Sequence, residues 1–174
     1  MALLRGINVG GTNIIRMAAL RDCFEALGFG DVATHIQSGN VIFRTAAGDA
    51  SLTRRIEQAL SQTFAYSGHV ILRSRTQMRR IVAGAPDGFG RAPSQYRYDV
   101  IFLKAPLRAA AAMTSVRTRD GVDRAAAGTG VIYFSRLISR ATQSHLPRLA
   151  STPVYKEMTV RNWNTTTALL ALMD

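Results

Sequence analysis

The spacing of apolar side chains along the chain alternates between a strand period of about two residues and a helix period of about 3.6 residues. Residues 1–7 are almost all apolar, which predicts a central strand, and residues 16–27 repeat apolar side chains at helical spacing. Strands are predicted over 31–37 and 41–44, and the Gly-Asn step between them favours a tight hairpin. The chain therefore opens with a strand, a helix and a hairpin.

The next apolar repeats complete a familiar order of elements. Helical spacing over 51–64, with Ser51 as the cap, predicts a second helix, and residues 69–73 have the pattern of a fourth strand. The order βαββαβ is that of the split β-α-β, or ferredoxin-like, arrangement. We therefore expect residues 1–74 to form a first ferredoxin-like half.

A similar order follows a connecting region, residues 75–95, which holds a predicted helix over 75–83 and then a stretch broken by Gly and Pro that is typical of a linker. The later predicted elements are a strand over 96–103, a helix from Pro106 to 113, strands over 122–127 and 131–134, a helix between 139 and 150 that Pro147 breaks or kinks, a strand over 158–162, and a last helix capped by Asn164. We expect residues 96–174 to form a second ferredoxin-like half with a C-terminal helix. The predicted fold class is α+β, with the two halves packed into one compact unit and mainly antiparallel sheets.

The first candidate site is the loop 5–13, between the first strand and the first helix. Gly6, Gly10 and Gly11 allow tight turns and expose backbone N–H groups, while Asn8 and Asn13 add side-chain amides. These groups suit an anion or a carbonyl-bearing ligand.

Arg5 comes just before the glycines of that loop, on the predicted first strand. A buried guanidinium without a partner is costly, so we expect Arg5 either to reach solvent or to face a ligand.

The hairpin corner supplies a second group of polar residues, Ser38, Gly39 and Asn40. In a ferredoxin-like sheet the first and third strands usually lie side by side and antiparallel. The end of the first strand then meets the start of the third, and we expect this corner to stand beside the loop 5–13.

A third polar group lies where the last predicted strand passes into the last helix, and it consists of Arg161, Asn162, Trp163, Asn164 and Thr165. A guanidinium, two amides and an indole ring at a helix N-terminus suit an anionic, partly flat ligand. The structural alternative is that Asn164 caps the helix, Trp163 packs on it and Arg161 pairs with an acid.

Three stretches together resemble the signatures of the bacterial family catalogued as domain of unknown function 1697. They are Leu3-Leu4-Arg5-Gly6-Ile7-Asn8-Val9-Gly10-Gly11, Gln37-Ser38-Gly39-Asn40-Val41-Ile42-Phe43 and Thr159-Val160-Arg161-Asn162-Trp163-Asn164-Thr165. The resemblance spans nearly the whole chain, and Tyr155-Lys156 fits a common variant before the third signature. It implies an α/β protein of two ferredoxin-like halves without an established activity, and it favours one site formed by the three signatures.

Several chemistries do not match the sequence. Thr12 follows Gly11 with no lysine, so the phosphate-binding P-loop pattern is not met, and a dinucleotide fingerprint is absent from this loop. The three histidines lack metal-ligand spacing, and the single cysteine, Cys23, borders an apolar helix face as a small buried hydrophobe would. We predict no metal and no cofactor. No nucleophile or base stands out, so catalytic residues and the question of enzyme activity stay open.

Asp99 is an acid on a mainly apolar strand. Burial there would raise its pKa, and we expect the carboxylate to pair with an Arg on a neighbouring strand.

The charge balance adds a second line of argument. Lys and Arg total 22 against 11 acids, a net charge of +11, and twenty of the 22 are Arg. Such a surface attracts polyanions, although a solvated basic surface explains it equally well. No apolar run approaches the roughly 18 residues of a membrane span, and the N-terminus has no secretory pattern, so we expect a cytoplasmic protein without membrane contact.

The preferred functional hypothesis is a site for a small anionic or nucleotide-like ligand in a polar cleft formed by the three groups. The first alternative is non-specific nucleic-acid binding through the basic surface, with a local cluster at Arg73, Arg75, Arg79 and Arg80. The row Tyr96, Tyr98 and Phe102 could stack bases or belong to the core. The second alternative is a protein-interaction module that uses a sheet edge or the helix 109–112. The oligomeric state is left open.

Overall fold

The computed structural model describes residues 1–11, 13–47 and 49–174, except for the side chains of residues 49 and 50. Thr12, in the predicted loop 5–13, lies outside the described residues. The chain divides into two compact units, one formed by Met1–Arg75 with Ala171–Asp174 and the other by Thr76–Leu170.

The first unit is a four-stranded antiparallel sheet with two helices. Its elements are β1 (Ala2–Leu4), α1 (Met17–Ala26), β2 (Gly30–His35), β3 (Asn40–Arg44), α2 (Asp49–Phe64) and β4 (Val70–Leu72). The strand order is β2-β3-β1-β4, so β1 lies between β3 and β4. The expected neighbourhood of the first and third strands is therefore confirmed.

The core of the first unit forms where the apolar faces of α1 and α2 meet β1 and β3. Leu20 and Phe24 of α1 and Ile56 and Leu60 of α2 are fully buried. Cys23 is buried beside them, which confirms its predicted role as a small core residue. Burial of this kind contributes about 25 cal/mol for each Å² of apolar surface removed from water.

Two local predictions for this unit are wrong. Because β1 ends at Leu4, Arg5 lies in the following loop and not on the strand. Because α2 begins at Asp49, Ser51 lies inside the helix and is not its cap.

The second unit is also a four-stranded antiparallel sheet with helices. Its elements are α3 (Arg75–Ala83, whose first residue groups with the other unit), β5 (Tyr96–Leu103), α4 (Ala109–Met113), β6 (Asp123–Gly128), β7 (Val131–Leu137), three 3₁₀ helices (Ile138–Gln143, Leu146–Ser151, Pro153–Glu157), β8 (Met158–Asn162) and α5 (Trp163–Ala171). The strand order is β6-β7-β5-β8. Both sheets are antiparallel, so the predicted mixed α and β class with antiparallel sheets is confirmed.

The two faces of the second sheet carry different side chains. On one face, Ile101 and Leu103 pack with Phe134, Met158 and the helix α4. On the other face, β5 presents Tyr96, Tyr98, Val100 and Phe102, as its alternation predicts. The helix α4 is thus part of the core: Ala112 is fully buried.

Three predictions for the second unit need correction. The helix expected between 139 and 150 is a series of 3₁₀ helices, and a proline opens the second and the third of them. Proline fixes φ and lacks an N–H, which favours such short turns over a continuous α-helix. The helix expected from Pro106 begins only at Ala109. The cap of α5 is Asn162, whose Oδ1 accepts a hydrogen bond from the Thr165 N–H at 2.7 Å, and not Asn164.

Candidate functional site

The side chain of Asn8 organises the loop after β1. Its Nδ2 donates to the Ile15 carbonyl at 3.0 Å and to the Gln37 carbonyl at 2.9 Å, and its Oδ1 accepts from the Ile15 N–H at 2.8 Å. Asn8 has a φ of 54°, a left-handed conformation that Asn tolerates better than most residues. One amide therefore ties the two sides of the loop to each other and to the corner before β3.

Asn13 closes the same loop from its other end. Its Nδ2 donates to the Gly6 carbonyl at 3.0 Å, and its own carbonyl accepts from the Asn8 N–H at 3.1 Å. Both predicted ligand-binding asparagines of this loop thus use their polar groups to shape it.

The corner before β3 is built in a similar way. Asn40 is buried, and its Nδ2 donates to the His35 carbonyl at 2.9 Å and to Ser38 Oγ at 3.0 Å. The Gly39 carbonyl accepts from the Leu4 N–H at 2.8 Å. The structure therefore brings the first two sequence groups together, as expected from the strand order. We name residues 5–11, 13–16 and 36–40 the loop pair.

The open part of the loop pair is its glycine turn. Gly10 and Gly11 have φ values of +59° and +77°, and apart from the glycine itself and its chain neighbours, no described atom lies within 4 Å of the place where a Cβ would stand on either residue. Both are exposed. A cavity of about 330 Å³ opens here and is lined by Asn8, Gly11, Ile14, Ile15, Arg16, Met17 and Gln37.

The start of α1 lines the same cavity. Its first turn, Met17 to Leu20, holds only apolar side chains, and the preceding residue, Arg16, makes no capping hydrogen bond within the described residues. The first N–H groups of a helix have no partner inside the helix and carry a partial positive charge. Arg16 is exposed and adds a full positive charge to this end of the helix. The arrangement suits an anion.

Arg16 is a residue that sequence reasoning missed. Its signal was its place directly before the first residue of an uncapped helix, after a glycine turn. Arg5, which was predicted, is half-buried, and its carbonyl accepts a hydrogen bond from the Tyr66 hydroxyl.

The third sequence group lies in the second unit. Arg161 is only 8% exposed, and its Nη1 donates to Thr159 Oγ1 and to the Val160 carbonyl, both at 2.9 Å. Asn162 and Thr165 together form the helix cap, while Asn164 is exposed. These contacts give Arg161 and Asn162 structural roles within β8 and α5. A single pocket shared with the loop pair stays a prediction.

Trp163 packs against the segment before β5. The rings of Phe89 and Trp163 meet edge to face with centroids 5.2 Å apart. A Cβ added at Gly90, whose φ is +84°, would lie 2.4 Å from Trp163 Nε1. Part of the indole that was predicted to stack on a ligand is therefore covered by residues 89 and 90.

Asp99 has the environment that its place on β5 predicts. Its Oδ2 lies 3.4 Å from Arg136 Nη2 on the neighbouring strand β7, which confirms the expected ion pair. Burial raises the pKa of Asp99 above its usual 3.8, while the charges of Arg136 and Arg97 act in the opposite direction. This carboxylate is paired inside the second unit and does not belong to the loop pair.

A larger cavity of the first unit, about 500 Å³, is a weaker candidate. Its lining includes Arg44, Asp31, Arg75 and Asp174. Arg44 pairs with Asp31 at 2.8 Å, and Arg75 pairs with Asp174. Arginines already paired with acids attract a further anion less strongly. The second of these pairs also takes Arg75 out of the basic cluster that was considered for nucleic acid.

No group of three or more His, Cys, Asp and Glu residues in residues 1–11, 13–47 and 49–174 is placed to hold a metal ion. Among the helices described, none is long and apolar enough to cross a membrane.

The fold recurs in a solved structure, that of the conserved bacterial protein SP0830 from Streptococcus pneumoniae. The two share 23% sequence identity and superpose with a TM-score of 0.86, over 99% of this chain and 97% of that chain. At this identity the likeness establishes the shared α and β fold alone. No curated protein matches the chain.

The family follows from the sequence match. Residues 1–133 match the family described as protein of unknown function (DUF1697), and the chain belongs to that family. The resemblance read from the signatures is thereby confirmed. The first two signatures lie within the matched residues, while the third, at 159–165, lies after them.

Proposed function

We propose that this protein binds a small anionic or nucleotide-like ligand at the loop pair. The observation that carries the proposal is the open backbone of Gly10 and Gly11 beside the uncapped start of α1, with Arg16 on the same cavity. The proposal concerns binding alone.

The geometry supports an anion for two physical reasons. A helix N-terminus acts as roughly half a positive charge, and its N–H groups donate hydrogen bonds along the axis. An arginine beside it can donate two parallel hydrogen bonds to a phosphate or a carboxylate. Gly10 and Gly11 themselves present no side chain to a ligand that approaches their backbone.

The asparagines have a supporting role in this proposal. Asn8, Asn13 and Asn40 hold the loop pair in shape through bonds to backbone carbonyls. The ligand contacts then come from the backbone N–H groups and from Arg16. Arg5 and the third sequence group, at 161–165, stay as predicted ligand residues.

A thermal-shift screen of nucleotides, sugar phosphates and carboxylates tests the proposal. A ligand should raise the melting temperature of the parent protein, since it binds only the folded state. Arg16→Gln should lose most of that rise. The matched control is Arg54→Gln, which removes the same charge from an exposed position on α2 of the same unit.

Two results would contradict the proposal. One is a screen in which no anion shifts the melting temperature. The other is a ligand whose shift is the same in Arg16→Gln as in the parent.

A second candidate function is contact with a partner protein through the loop pair. Val9, Ile14 and Ile36 are 63%, 75% and 52% exposed. Val9 follows Asn8 in the chain. Ile14 and Ile36 directly precede Ile15 and Gln37, whose carbonyls accept hydrogen bonds from the Asn8 side chain. Exposed apolar side chains gathered in this way are typical of interaction sites. Replacing Val9 and Ile36, which do not line the anion cavity, by Ser should then weaken partner binding in a pull-down and leave the anion-induced thermal shift intact.

A further inference from the structure

A separate cavity of about 270 Å³ lies on one face of the sheet of the second unit. Residues 86–92 cover this face, and Phe89 meets Tyr98 and Tyr133 edge to face, with centroids 4.9 Å and 5.4 Å apart. The cavity lies between these residues and the strands β5, β7 and β6. We name it the aromatic pocket.

The aromatic pocket exists because small side chains lie between large ones. Across β5, β7 and β6, Tyr98 stands opposite Ser135 and Ser135 opposite Arg124. In the next row on the same face, Tyr133 stands opposite Ala126. Ser135 and Ala126 form a low floor, and the rings rise around it.

Hydrogen bonds fix two of the rings. The Tyr133 hydroxyl donates to the Ile81 carbonyl at 2.6 Å, and the Tyr98 hydroxyl accepts from the Ala92 N–H at 3.3 Å. Phe89 is in turn supported from behind by Trp163. A ligand would therefore enter a cavity that is already formed, at a small cost in ordering side chains.

The lining of the pocket holds one positive and one negative side chain, those of the exposed Arg124 and Asp87. Arg124 is exposed, and its Cζ lies 5.7 Å from the centroid of the Tyr96 ring. A guanidinium in this position can stack on one aromatic ring and still bind an anion with its edge.

We propose that the aromatic pocket binds a planar ring system of one or two rings that carries an anionic group. The ring would lie among Phe89, Tyr96 and Tyr98, where edge-to-face and stacked contacts are favourable. The anionic group would lie at Arg124, and the Ser135 hydroxyl offers one hydrogen bond at the floor. The volume lies just below the roughly 300–1,000 Å³ of pockets for drug-sized ligands, which suits a small ligand.

A stacked single strand of nucleic acid fits this face less well. The aromatic row of β5 does not continue as an open surface, because Phe102 is fully buried. One ring can enter the pocket, but a run of bases has no further platform along this strand. The ligand chemistry can come from a free nucleotide or from an aromatic carboxylate.

The single tryptophan of the chain provides the readout. Trp163 contacts Phe89, a wall of the pocket, so a bound ring should change its fluorescence. The probes are AMP with its neutral partner adenosine, benzoate with its neutral partner benzamide, and ribose 5-phosphate as an anion without a ring. We expect saturable binding of AMP or benzoate, binding weaker by about fivefold for the neutral partner, as for an exposed ion pair, and no fluorescence change with ribose 5-phosphate.

Variants place the binding in the pocket. Ala126→Phe should fill the cavity and abolish binding. If Ala126→Phe does not fold, Tyr96→Ala, which removes one wall of the pocket, is the alternative variant and should weaken binding. Arg124→Gln should remove the preference for the charged probe. Arg117→Gln, the same change at another exposed arginine of this unit, should not.

Four results would overturn the inference. They are the absence of saturable binding by AMP and benzoate, equal binding in folded Ala126→Phe, an unchanged charge preference in Arg124→Gln, and tighter binding of a single-stranded oligonucleotide than of AMP. The inference does not depend on the function proposed for the loop pair. Arg16→Gln should leave the fluorescence titrations unchanged.

Discussion

Gly39 shows how one residue without a side chain joins two sequence motifs. A Cβ at this position would lie 2.8 Å from Leu4 Cβ and 2.8 Å from Ile7 Cδ1, and the φ of +74° is itself unfavourable for other residues. The corner before β3 can approach the end of β1 because the side chain is missing. Gly39 therefore has a packing role. In the sequence alone, a glycine needed for packing looks the same as a glycine needed for ligand binding.

Gly39→Ala should lower the free energy of unfolding by about 2 kcal/mol more than Gly28→Ala does. Gly28 is the matched control, since its φ is +76° and, apart from the glycine itself and its chain neighbours, no described atom lies within 4 Å of its Cβ position. Both variants have the same backbone strain, and only Gly39→Ala adds the clash. Urea unfolding measures the difference, and equal losses in the two variants would show that the close approach has little energetic weight.

Asp99 links burial to the pH dependence of stability. Because burial raises the folded-state pKa of Asp99 above 3.8, the folded protein holds this proton more tightly than the unfolded chain does. The contribution of Asp99 to stability is therefore greatest below about pH 4 and falls as the pH rises from there through the folded-state pKa. Urea unfolding of the parent and of Asp99→Asn over this range should show the parent losing stability relative to the variant. A difference between the two that stays constant with pH would contradict this.

The Asn8 side chain joins the two sides of the loop after β1 and connects this loop to the corner before β3. Among the described residues, the Asn8 amide makes three hydrogen bonds to backbone groups, whereas the Asn13 amide makes one. Both residues have a similar positive φ, 54° and 49°. A comparison of their alanine variants therefore isolates the two additional hydrogen bonds.

Asn8→Ala should lower the free energy of unfolding by about 2 kcal/mol more than Asn13→Ala, at about 1 kcal/mol for each additional bond. It should also weaken any anion bound at the glycine turn, because the turn loses its tie to the corner before β3. Urea unfolding and the thermal-shift assay measure the two effects. Equal losses of stability would contradict the organising role of Asn8.

Elements with a clean period could be predicted to the residue. Tyr96–Leu103 and Met158–Asn162 match their predicted bounds, because apolar side chains recur in each at the strand period of two. The helix Arg75–Ala83 matches as well. The prediction of a helix between 139 and 150 is wrong because the apolar spacing there resembles that of a helix, while Pro147 favours separate short turns.

The candidate site was only partly predictable. The loop 5–13 meets the corner at 38–40 because the first and third strands are neighbours. That neighbourhood was expected from the βαββαβ order of elements, which the periodicity of apolar residues predicts. The hydrogen-bond partners of Asn8 and Asn40 could not be predicted from the sequence. A side-chain amide can donate to a backbone carbonyl or to a ligand, and only the coordinates show that these amides donate to backbone carbonyls. Arg16 was missed because its role depends on where α1 begins.

Across the whole chain, the family, the fold class and the two sheets follow from sequence signatures and element order. The net charge of +11 is compatible with a small anionic ligand and equally with nucleic acid. The pairing of Arg75 with Asp174 lessens the case for the basic cluster around it. A local site with an exposed backbone and one adjacent arginine makes the small ligand the stronger proposal.

Amide chemical-shift mapping with the anion that gives the largest thermal shift tests where the ligand binds. We expect the largest ¹H–¹⁵N shifts at Gly10, Gly11 and the first residues of α1, and we expect them to vanish in Arg16→Gln and persist in Arg54→Gln. Largest shifts outside the loop pair and the first turn of α1, with the Gly10 and Gly11 signals unmoved at saturation, would contradict the proposal.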